Sequence, residues 1–297
     1  MNGTELSAEC FRAHRARLRA VAYRMLGSLD DADEAVQETW LRLSDSGSGS
    51  GSGGSGGSGA SDAGAPLVTV VGAVCLDRLR SRAARRAEAF VPDPVIAPLS
   101  PTDPEQEALY ADAAGLALMA ALEDLTPAQR LALVLHDMFA VPFDDIASIL
   151  ERSPGAARQL AGRARRRVRG TVPASEPDPG RQREVLEAFL AAARAGDVET
   201  LLAVLHPDVV LRADSGAASS RVVRGAREVA AQVLRFRRFT EYARLALVNG
   251  EIGVVNVPEG RPLSVAGVTV ADGTIVGLNV LADPDRLARL RLPGTAR

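Results

Sequence analysis

An arginine-rich segment in the middle of the sequence carries the side chains best suited to binding a nucleic acid. Seven arginines and no acid lie between residues 152 and 170. A guanidinium can bind a phosphate, or the edge of a guanine, through two parallel hydrogen bonds, which the ammonium of lysine cannot do. The sequence contains no lysine, so arginine alone supplies the cations that such a segment would use.

The same segment follows the pattern of a helix-turn-helix. A short helix with an apolar face ends before a tight turn at Glu151-Arg152, and Ser153-Pro154 then open a second helix as N-cap and first-turn proline. The first turns of such a helix reach base edges in the major groove, and residues further along touch phosphates. We expect base or nearby contacts from Ser153, Ala156, Arg158, Gln159 and Arg163, and phosphate contacts from Arg165, Arg166, Arg167 and Arg169. The alternative is a solvated basic helix face, but the order of helix, turn and capped helix favours DNA binding.

Two further segments carry charge of opposite sign: one is acidic and the other is basic. Residues 29–46 contain six acids against one base, Arg42. A helix over residues 67–90 ends in a cluster of arginines at Arg78, Arg80, Arg82, Arg85 and Arg86. These cations could follow the backbone of a nucleic acid strand, and the alternative is a solvated helix end that the helix dipole favours. The net charge of −2 therefore says nothing against nucleic-acid binding.

The composition limits the class of protein. A chain of 297 residues, of which 46% are hydrophobic and 24% charged, can build two or three compact units. Its two cysteines are far apart and match no disulfide or metal pattern, so we expect neither a metal nor a cofactor. The first residues do not resemble a signal peptide, and no apolar run is long enough to span a membrane. We expect a cytoplasmic protein without a membrane partner.

Proline and glycine divide the sequence into four parts. Residues 5–90 form one helical domain with a Gly/Ser-rich insert at 46–64, residues 91–108 a proline-rich linker, and residues 109–171 a second helical domain. Residues 180–297 begin with helices at 181–195 and 197–205. Strand-like segments follow near 208–213, 241–248, 251–257, 263–271 and 273–281. The expected fold is multi-domain: two all-α domains and then an α+β domain with an antiparallel sheet.

The helical parts resemble an extracytoplasmic-function factor of the sigma-70 family. Residues 31–42 (DADEAVQETWLR) resemble the stretch of region 2 that grips RNA polymerase, and residues 67–82 resemble the part that reads and melts the promoter −10 element. Residues 122–130 and the helix-turn-helix resemble region 4, which reads the −35 element. The resemblance implies polymerase contacts from Asp31, Asp33, Glu34, Gln37, Glu38 and Trp40, and −10 contacts from the arginine cluster that begins at Arg78. It implies core RNA polymerase and promoter DNA as partners, and no enzymatic activity.

The last part resembles a SnoaL-like domain. Residues 184–210 are similar to the opening of that fold, a cone of helices against a curved sheet that encloses a pocket. A subfamily of sigma factors carries such a domain at its C-terminus. Residues 90–94 (FVPDP) and the tail Asp283, Pro284, Asp285, Arg286 and Leu287 resemble motifs of that subfamily. The resemblance implies that the domain regulates the factor and leaves room for a small-molecule ligand in its pocket.

Two other classes of function stay open. A helix-turn-helix regulator with a ligand-sensing domain would not need the acidic segment at 31–42. A SnoaL-like enzyme with a DNA-binding arm would need acid and base groups, and the candidates are His206, Asp208, Asp214, Glu251 and Asp272. The acids mostly lie at predicted turns, His206 is expected to cap a helix end, and no two have the spacing of an acid/base pair. Transcription in vitro with core polymerase separates these classes from a sigma factor.

Overall fold

The computed structural model describes residues 3–47, 64–82, 90–99, 115–171, 178–216 and 220–290. The chain divides into two compact units. The first, here the helical unit, contains Met1–Arg85 and Leu122–Arg169, and the second, here the sheet unit, contains Arg86–Ala121 and Gly170–Arg297. Most of the Gly/Ser-rich insert, at 48–63, and half of the expected linker, at 100–108, lie outside the described residues.

The helical unit is built from helices with identifiable ends. Their bounds are α1 Gly3–Leu26, α2 Leu29–Gly47, α3 Gly64–Arg82, α5 Pro127–Leu133, α6 Phe143–Leu150 and α7 Pro154–Thr171, with a π-helical turn at Val134–Met138. A further helix, α4 Leu116–Glu123, contributes only its last two residues to this unit. Gly27, with a φ of 70°, ends α1 in the left-handed conformation that glycine adopts without strain. Thr126 and Gln129 form a capping box that starts α5. The boundary between the two units falls within α4.

The two helical domains expected at 5–90 and 109–171 share one core. Leu18 and Met25 of α1 and Val71 of α3 are completely buried, and α5 and α6 pack against α3. At Gly72, α3 lies so close to the π-helical turn that a Cβ built on this glycine would be 2.9 Å from Leu135 Cδ1. The helices on either side of the expected linker are therefore in direct contact within this unit.

A buried guanidinium lies in this core. The Arg130 side chain is only 2% exposed, and its Nη1 is 2.7 Å from Glu123 Oε1. Its Nε donates to the carbonyl of Arg24 at 3.0 Å, which ties α5 to the end of α1. Burial lowers the pKa of Arg130 from its ordinary value. Burial also raises the pKa of the neighbouring Cys75 thiol to about 12, so that thiol is neutral at ordinary pH.

We expect Arg130→Ala to destabilise the helical unit by about 3–5 kcal/mol, because it leaves the Glu123 carboxylate buried without its guanidinium. Trp40 is the single tryptophan of the chain and lies in this unit, so its fluorescence during urea unfolding measures the change. The control is Glu123→Gln with Arg130→Met, which removes both charges and should cost much less. Equal losses in the single and double variants would contradict the role of the ion pair.

The sheet unit contains a seven-stranded sheet in the order β1-β4-β5-β6-β7-β2-β3. The strands are β1 Ile96–Ala97, β2 Leu205–Asp214, β3 Arg221–Arg224, β4 Ala243–Val248, β5 Glu251–Asn256, β6 Ser264–Ala271 and β7 Thr274–Leu281. The helices are α8 Pro179–Ala195, α9 Val198–Val204, α10 Ala226–Arg235 and α11 Pro284–Leu287, with 3-10 turns at Arg237–Tyr242 and Pro258–Gly260. The sequence predicted five of these strands within a few residues and missed β1, β3, α10 and the short α11.

The expectation of a wholly antiparallel sheet is wrong at one position. β2 pairs in parallel with β7, and all other neighbours pair antiparallel. A hairpin turn joins only antiparallel neighbours, whereas β2 and β7 are separated by all the intervening strands and can pair in either sense. The tight turns at Asn249-Gly250 and Asp272-Gly273 do join antiparallel partners, and both residues of each turn have positive φ, as two-residue hairpins require.

Both faces of the sheet are covered. Leu186 and Phe189 of α8, Leu201 of α9 and Val229 of α10 pack on one face. On the other face, a Cβ built at Gly267 would lie 2.7 Å from Leu116 Cδ2, so the start of α4 lies directly on the backbone of β6. No helix in the described part of the chain has both the length and the apolar composition of a membrane span.

Candidate nucleic-acid interface

The turn before α7 has the geometry that its sequence predicts. Glu151 ends α6 in the left-handed conformation, with a φ of 53°. The amide of Arg152 donates to the Ala147 carbonyl at 3.0 Å, which closes the turn. Ser153 Oγ accepts a hydrogen bond from the amide of Ala156 at 3.2 Å and so caps α7. These bonds fix the angle at which the second helix leaves the first.

One face of α7 packs into the helical unit, and the other is open. Ala157, Leu160, Ala161 and Ala164 are buried. The residues expected at bases and phosphates lie opposite: Arg158, Gln159, Arg163, Arg166, Arg167 and Arg169 are exposed, and Ala156 is half-buried. The small residues near the start of α7 leave space for a close approach to a groove.

Arg165 differs from the other arginines of α7 because a carboxylate holds it. Its Nε is 2.6 Å from Asp137 Oδ2, and its Nη2 contacts the other carboxylate oxygen. This hydrogen bonding raises the pKa of Arg165. The sequence predicts a phosphate contact for Arg165 and gives no sign of Asp137, 28 residues away, because no periodic pattern connects the two positions.

The Arg158 guanidinium is positioned by an aromatic ring. Its Cζ lies 5.2 Å from the centroid of the Phe143 ring, and that ring in turn meets His136 edge to face at 3.9 Å. A cation over a ring face is attracted by the ring quadrupole. The donor near the start of α7 is therefore held in place before any ligand arrives, and Phe143 is a supporting residue that the sequence analysis missed.

The acids of α2 and the first arginine of the α3 cluster form one network. Arg78 donates to Glu34 at 3.0 Å and to Glu38 at 2.9 Å, and Arg42 donates to the other oxygen of Glu38 at 2.7 Å. Desolvation lowers the pKa of Arg78, but its hydrogen bonds to Glu38 and Glu34 outweigh this effect and raise it. The structure thus brings together residues that the resemblance assigned to polymerase and to DNA.

Two of the other residues expected at polymerase or at the −10 element, Asp33 and Arg80, pair with different residues. Asp33 pairs with Arg19 at 2.7 Å, and Arg80 lies 4.0 Å from Asp77. The side chain of Arg82 and all of Arg85 and Arg86 lie outside the described residues.

Apolar groups accompany the acids on α2. Trp40 is half-buried against the Phe11 ring, with centroids 5.0 Å apart. Leu41 beside it is 55% exposed. Gln37 is also exposed, and the amide of Asp31 donates to Ser28 Oγ at the start of the helix. Leu41 thus lies on the same open face of α2 as Asp33, Glu34 and Gln37, and no pattern in the sequence selects it.

The linker motif at 90–94 and the tail motif at 283–287 meet in the sheet unit. Asp283 caps α11, and Leu287 is buried. Arg286 donates through Nε to Asp93 Oδ1 at 2.8 Å, through Nη1 to Asp214 Oδ2 at 2.7 Å and through Nη2 to the carbonyl of Val91 at 2.6 Å. Its Cζ also lies 4.7 Å from the Phe90 ring. We call this arrangement the Arg286 clasp.

One of the candidate catalytic acids, Asp214, is part of the clasp. Asp214 accepts from Arg286, from the amide of Val91 at 3.1 Å and from Ser220 Oγ at 2.8 Å. The expectation that His206 caps a helix end is wrong, because His206 lies in β2 and its Nδ1 accepts from the amide of Asp208. Among the described residues, no group of three or more His, Cys, Asp or Glu could hold a metal ion.

Comparison with known proteins decides the family. The chain matches Sigma-70 region 2 over residues 10–47 and Sigma-70, region 4 over residues 115–168. It is 39% identical over 296 residues to the ECF RNA polymerase sigma factor SigJ of Mycobacterium tuberculosis, covering 93% of this chain and 91% of that protein. The chain belongs to the extracytoplasmic-function sigma factors of the sigma-70 family.

Two further matches support the same family over nearly the whole chain. The probable ECF RNA polymerase sigma factor SigI of the same species is 33% identical over 288 residues, covering 95% of this chain and 94% of that protein. The crystal structure of the M. tuberculosis sigma factor SigJ matches with a TM-score of 0.73 at 38% identity, covering 95% of this chain and 99% of that one. Relatives of this sigma factor thus extend through the sheet unit as well as the helical unit.

We expect Arg286→Ala to release the 90–94 segment, because it leaves Asp93 and Asp214 close together without the cation between them. The loss should be on the order of 3 kcal/mol and should speed hydrogen exchange at the Val91 amide by about two orders of magnitude. Asp285→Ala is the matched control, since this exposed neighbour uses only its backbone amide in the cap. Unchanged exchange at Val91 in the Arg286 variant would show that the clasp does not hold the segment.

Proposed function

We propose that this sigma factor binds core RNA polymerase and directs it to specific promoters, with α7 reading the −35 element. The observation that carries the proposal is the capped helix-turn-helix, whose exposed face presents Arg158, Gln159 and Arg163. An α-helix fits the major groove, and arginine and glutamine side chains there can bond to guanine and adenine edges. Arg166 and Arg167, further along the same face, are suited to phosphates.

We infer that the polymerase docks on α2. The support is the row of Asp33, Glu34 and Gln37, which is exposed, together with the exposed Leu41 beside Trp40. Negative charge on this face attracts a basic partner during the encounter. Burial of the apolar side chains then stabilises the complex once contact is made. A factor that acts on promoter DNA together with core polymerase acts where the chromosome lies, so we propose a cytoplasmic location.

The helical unit must open for both promoter elements to be read together. The −35 and −10 elements lie about 25 base pairs apart, or about 85 Å at about 3.4 Å per base pair. Helices packed in one core have axes only about 8–10 Å apart, and α3 packs directly against α5 and α6. We infer that the packed helical unit is a closed form, held by the Gly72 contact and by the Arg130 bond to Arg24.

We infer that the sheet unit is a SnoaL-like cone that regulates the factor through the Arg286 clasp. Three helices on one face of the sheet support the cone arrangement. The clasp holds residues 90–94 of the chain that joins region 2 to region 4, and that connection must extend when the helical unit opens. A small-molecule ligand in this unit stays a prediction. The use of Asp214 in the clasp favours a regulatory domain over an enzyme.

Substitution on α7 tests promoter reading. We expect Arg158→Ala and Gln159→Ala each to weaken binding to specific promoters by about 1–3 kcal/mol, because each removes a donor aimed at base edges. The measurement is transcription in vitro with core polymerase at several concentrations of the factor. Arg224→Ala, an exposed arginine on β3, is the control. Full promoter activity in both α7 variants would refute the assignment, and no initiation by the unaltered protein would refute the function itself.

Release of the clasp tests regulation. We expect Arg286→Ala to raise promoter output at least threefold while its affinity for core polymerase stays within about twofold, because the freed connection lets the two DNA readers separate. Removing the chain after Gly180 is a less direct test, since it also strips Leu116 and β1 of the sheet they pack on. Loss of polymerase binding in the Arg286 variant, or unchanged output, would contradict the proposal.

A further inference from the structure

A second cluster of arginines and aromatic rings lies on the sheet unit, far in sequence from α7. It follows the end of α10 and consists of Arg235, Phe236, Arg237, Arg238, Phe239, Tyr242 and Arg244, here called the Arg/Phe patch. Between 235 and 244 there are four arginines and one acid, Glu241, a net charge of +3. Nothing in the family matches assigns a role to it.

The cations of the Arg/Phe patch are available to a ligand. All four arginines are exposed. Over the part of the chain that the structure describes, none of them forms an ion pair with a carboxylate, in contrast to Arg165, Arg183 and Arg286. Arg237 lies beside Gly196 at the end of α8, where the helix dipole favours a cation. The Arg238 guanidinium lies over the Phe239 ring, and Arg235 and Arg244 have no side-chain partner among the described residues.

Two rings of the patch, Phe236 and Tyr242, are exposed, and Phe239 between them is half-buried. Phe236 is 48% exposed, and its ring stacks on Phe239 with centroids 6.4 Å apart and an angle of 28° between the planes. The Arg238 guanidinium lies 4.6 Å from the Phe239 centroid, and Tyr242 is exposed. A phenylalanine is normally removed from water, so an exposed stack beside cations indicates a surface that another molecule covers.

The patch is rigid. Arg194 of α8 donates to the carbonyl of Thr240 at 3.0 Å and to that of Ala243 at 3.4 Å. The Thr240 hydroxyl donates to the carbonyl of Arg237 at 2.6 Å. A surface fixed in this way loses little conformational entropy when a ligand binds.

We propose that the Arg/Phe patch binds single-stranded DNA. Free guanidiniums match the phosphates of a strand, and flat rings match bases whose faces are uncovered, the combination used by proteins that bind single strands without sequence preference. A duplex offers the phosphates but hides the base faces. An apolar protein surface would cover the rings but leave the cations desolvated without partners. The opened promoter that the proposed function produces supplies such a strand.

Fluorescence anisotropy of the full chain with a labelled 12-nucleotide oligo(dT) tests the proposal without polymerase, so its outcome is independent of the proposed function. We expect Phe236→Ala with Arg238→Ala to weaken binding about tenfold or more. The slope of log affinity against log salt concentration should fall by about 0.7 for the one phosphate contact removed. The control is Arg224→Ala with Arg261→Ala, which removes two exposed arginines elsewhere on the same unit and should change affinity less than twofold.

Other variants and ligands separate the alternatives. Phe236→Leu keeps an apolar side chain without a ring face and should show most of the loss, whereas wild-type affinity in this variant would overturn stacking as the cause. An equal loss on a 12-base-pair duplex would overturn the preference for single strands, and tighter binding of oligo(U) than of oligo(dT) would reassign the patch to RNA. Unchanged DNA affinity with loss of core polymerase binding would make it a protein-docking surface and refute the proposal.

Discussion

A guanidinium largely removed from water contacts carboxylates and backbone carbonyls from distant parts of the chain, and one such contact ties segments together in each of the two units. In the helical unit Arg130 joins Glu123 and the carbonyl of Arg24. In the sheet unit Arg286 joins Asp93 and Asp214. A buried ion pair adds little net stability over an apolar pair of the same shape, but removing one partner costs several kcal/mol. Such contacts therefore specify which segments lie together more than they stabilise the fold.

The degree of burial separates the structural arginines from those proposed to bind ligands. Arg158, Gln159 and Arg163 on α7 are exposed, as are the four arginines of the Arg/Phe patch. Arg165 belongs to neither group, because it is half-buried and Asp137 holds its guanidinium beside the exposed face of α7. With no lysine in the chain, one residue type serves both purposes. Its planar fork suits both, since it can saturate two carboxylates inside the protein or grip a phosphate outside it.

Local signals in the sequence were enough to predict the helix-turn-helix and two of the hairpins. The Ser153 cap, the turn at Glu151 and the hairpins at Asn249-Gly250 and Asp272-Gly273 depend on neighbouring residues, so their patterns are readable. α10 also has an amphipathic pattern, with Val229 and Val233 one turn apart, and could have been found. β1 has only two residues and β3 only four, so neither can show a period.

Contacts over long separations could not be read from the sequence. The parallel pairing of β2 with β7, the Arg165–Asp137 pair and the Arg286–Asp93 pair join positions that no local pattern connects. Arg286 and Asp93 are 193 residues apart. The resemblance to a sigma subfamily marked both of their motifs but gave no reason for them to meet. That reason is physical: Asp93 and Asp214 are largely buried, and a cation between them removes the cost of placing two carboxylates close together out of water.

The position of the exposed acids argues for an order of events in polymerase binding. Glu34 of α2 has 64% of its side chain exposed while the helical unit is packed, so the proposed docking face does not depend on opening. Polymerase can therefore meet α2 first, and the separation of α3 from α5 and α6 can follow. A partner shifts a two-state equilibrium only by the difference in its affinity for the two states. In the proposed opening, contacts made afterwards to region 4 would supply this difference, because the exposed acids of α2 are already accessible in the packed unit.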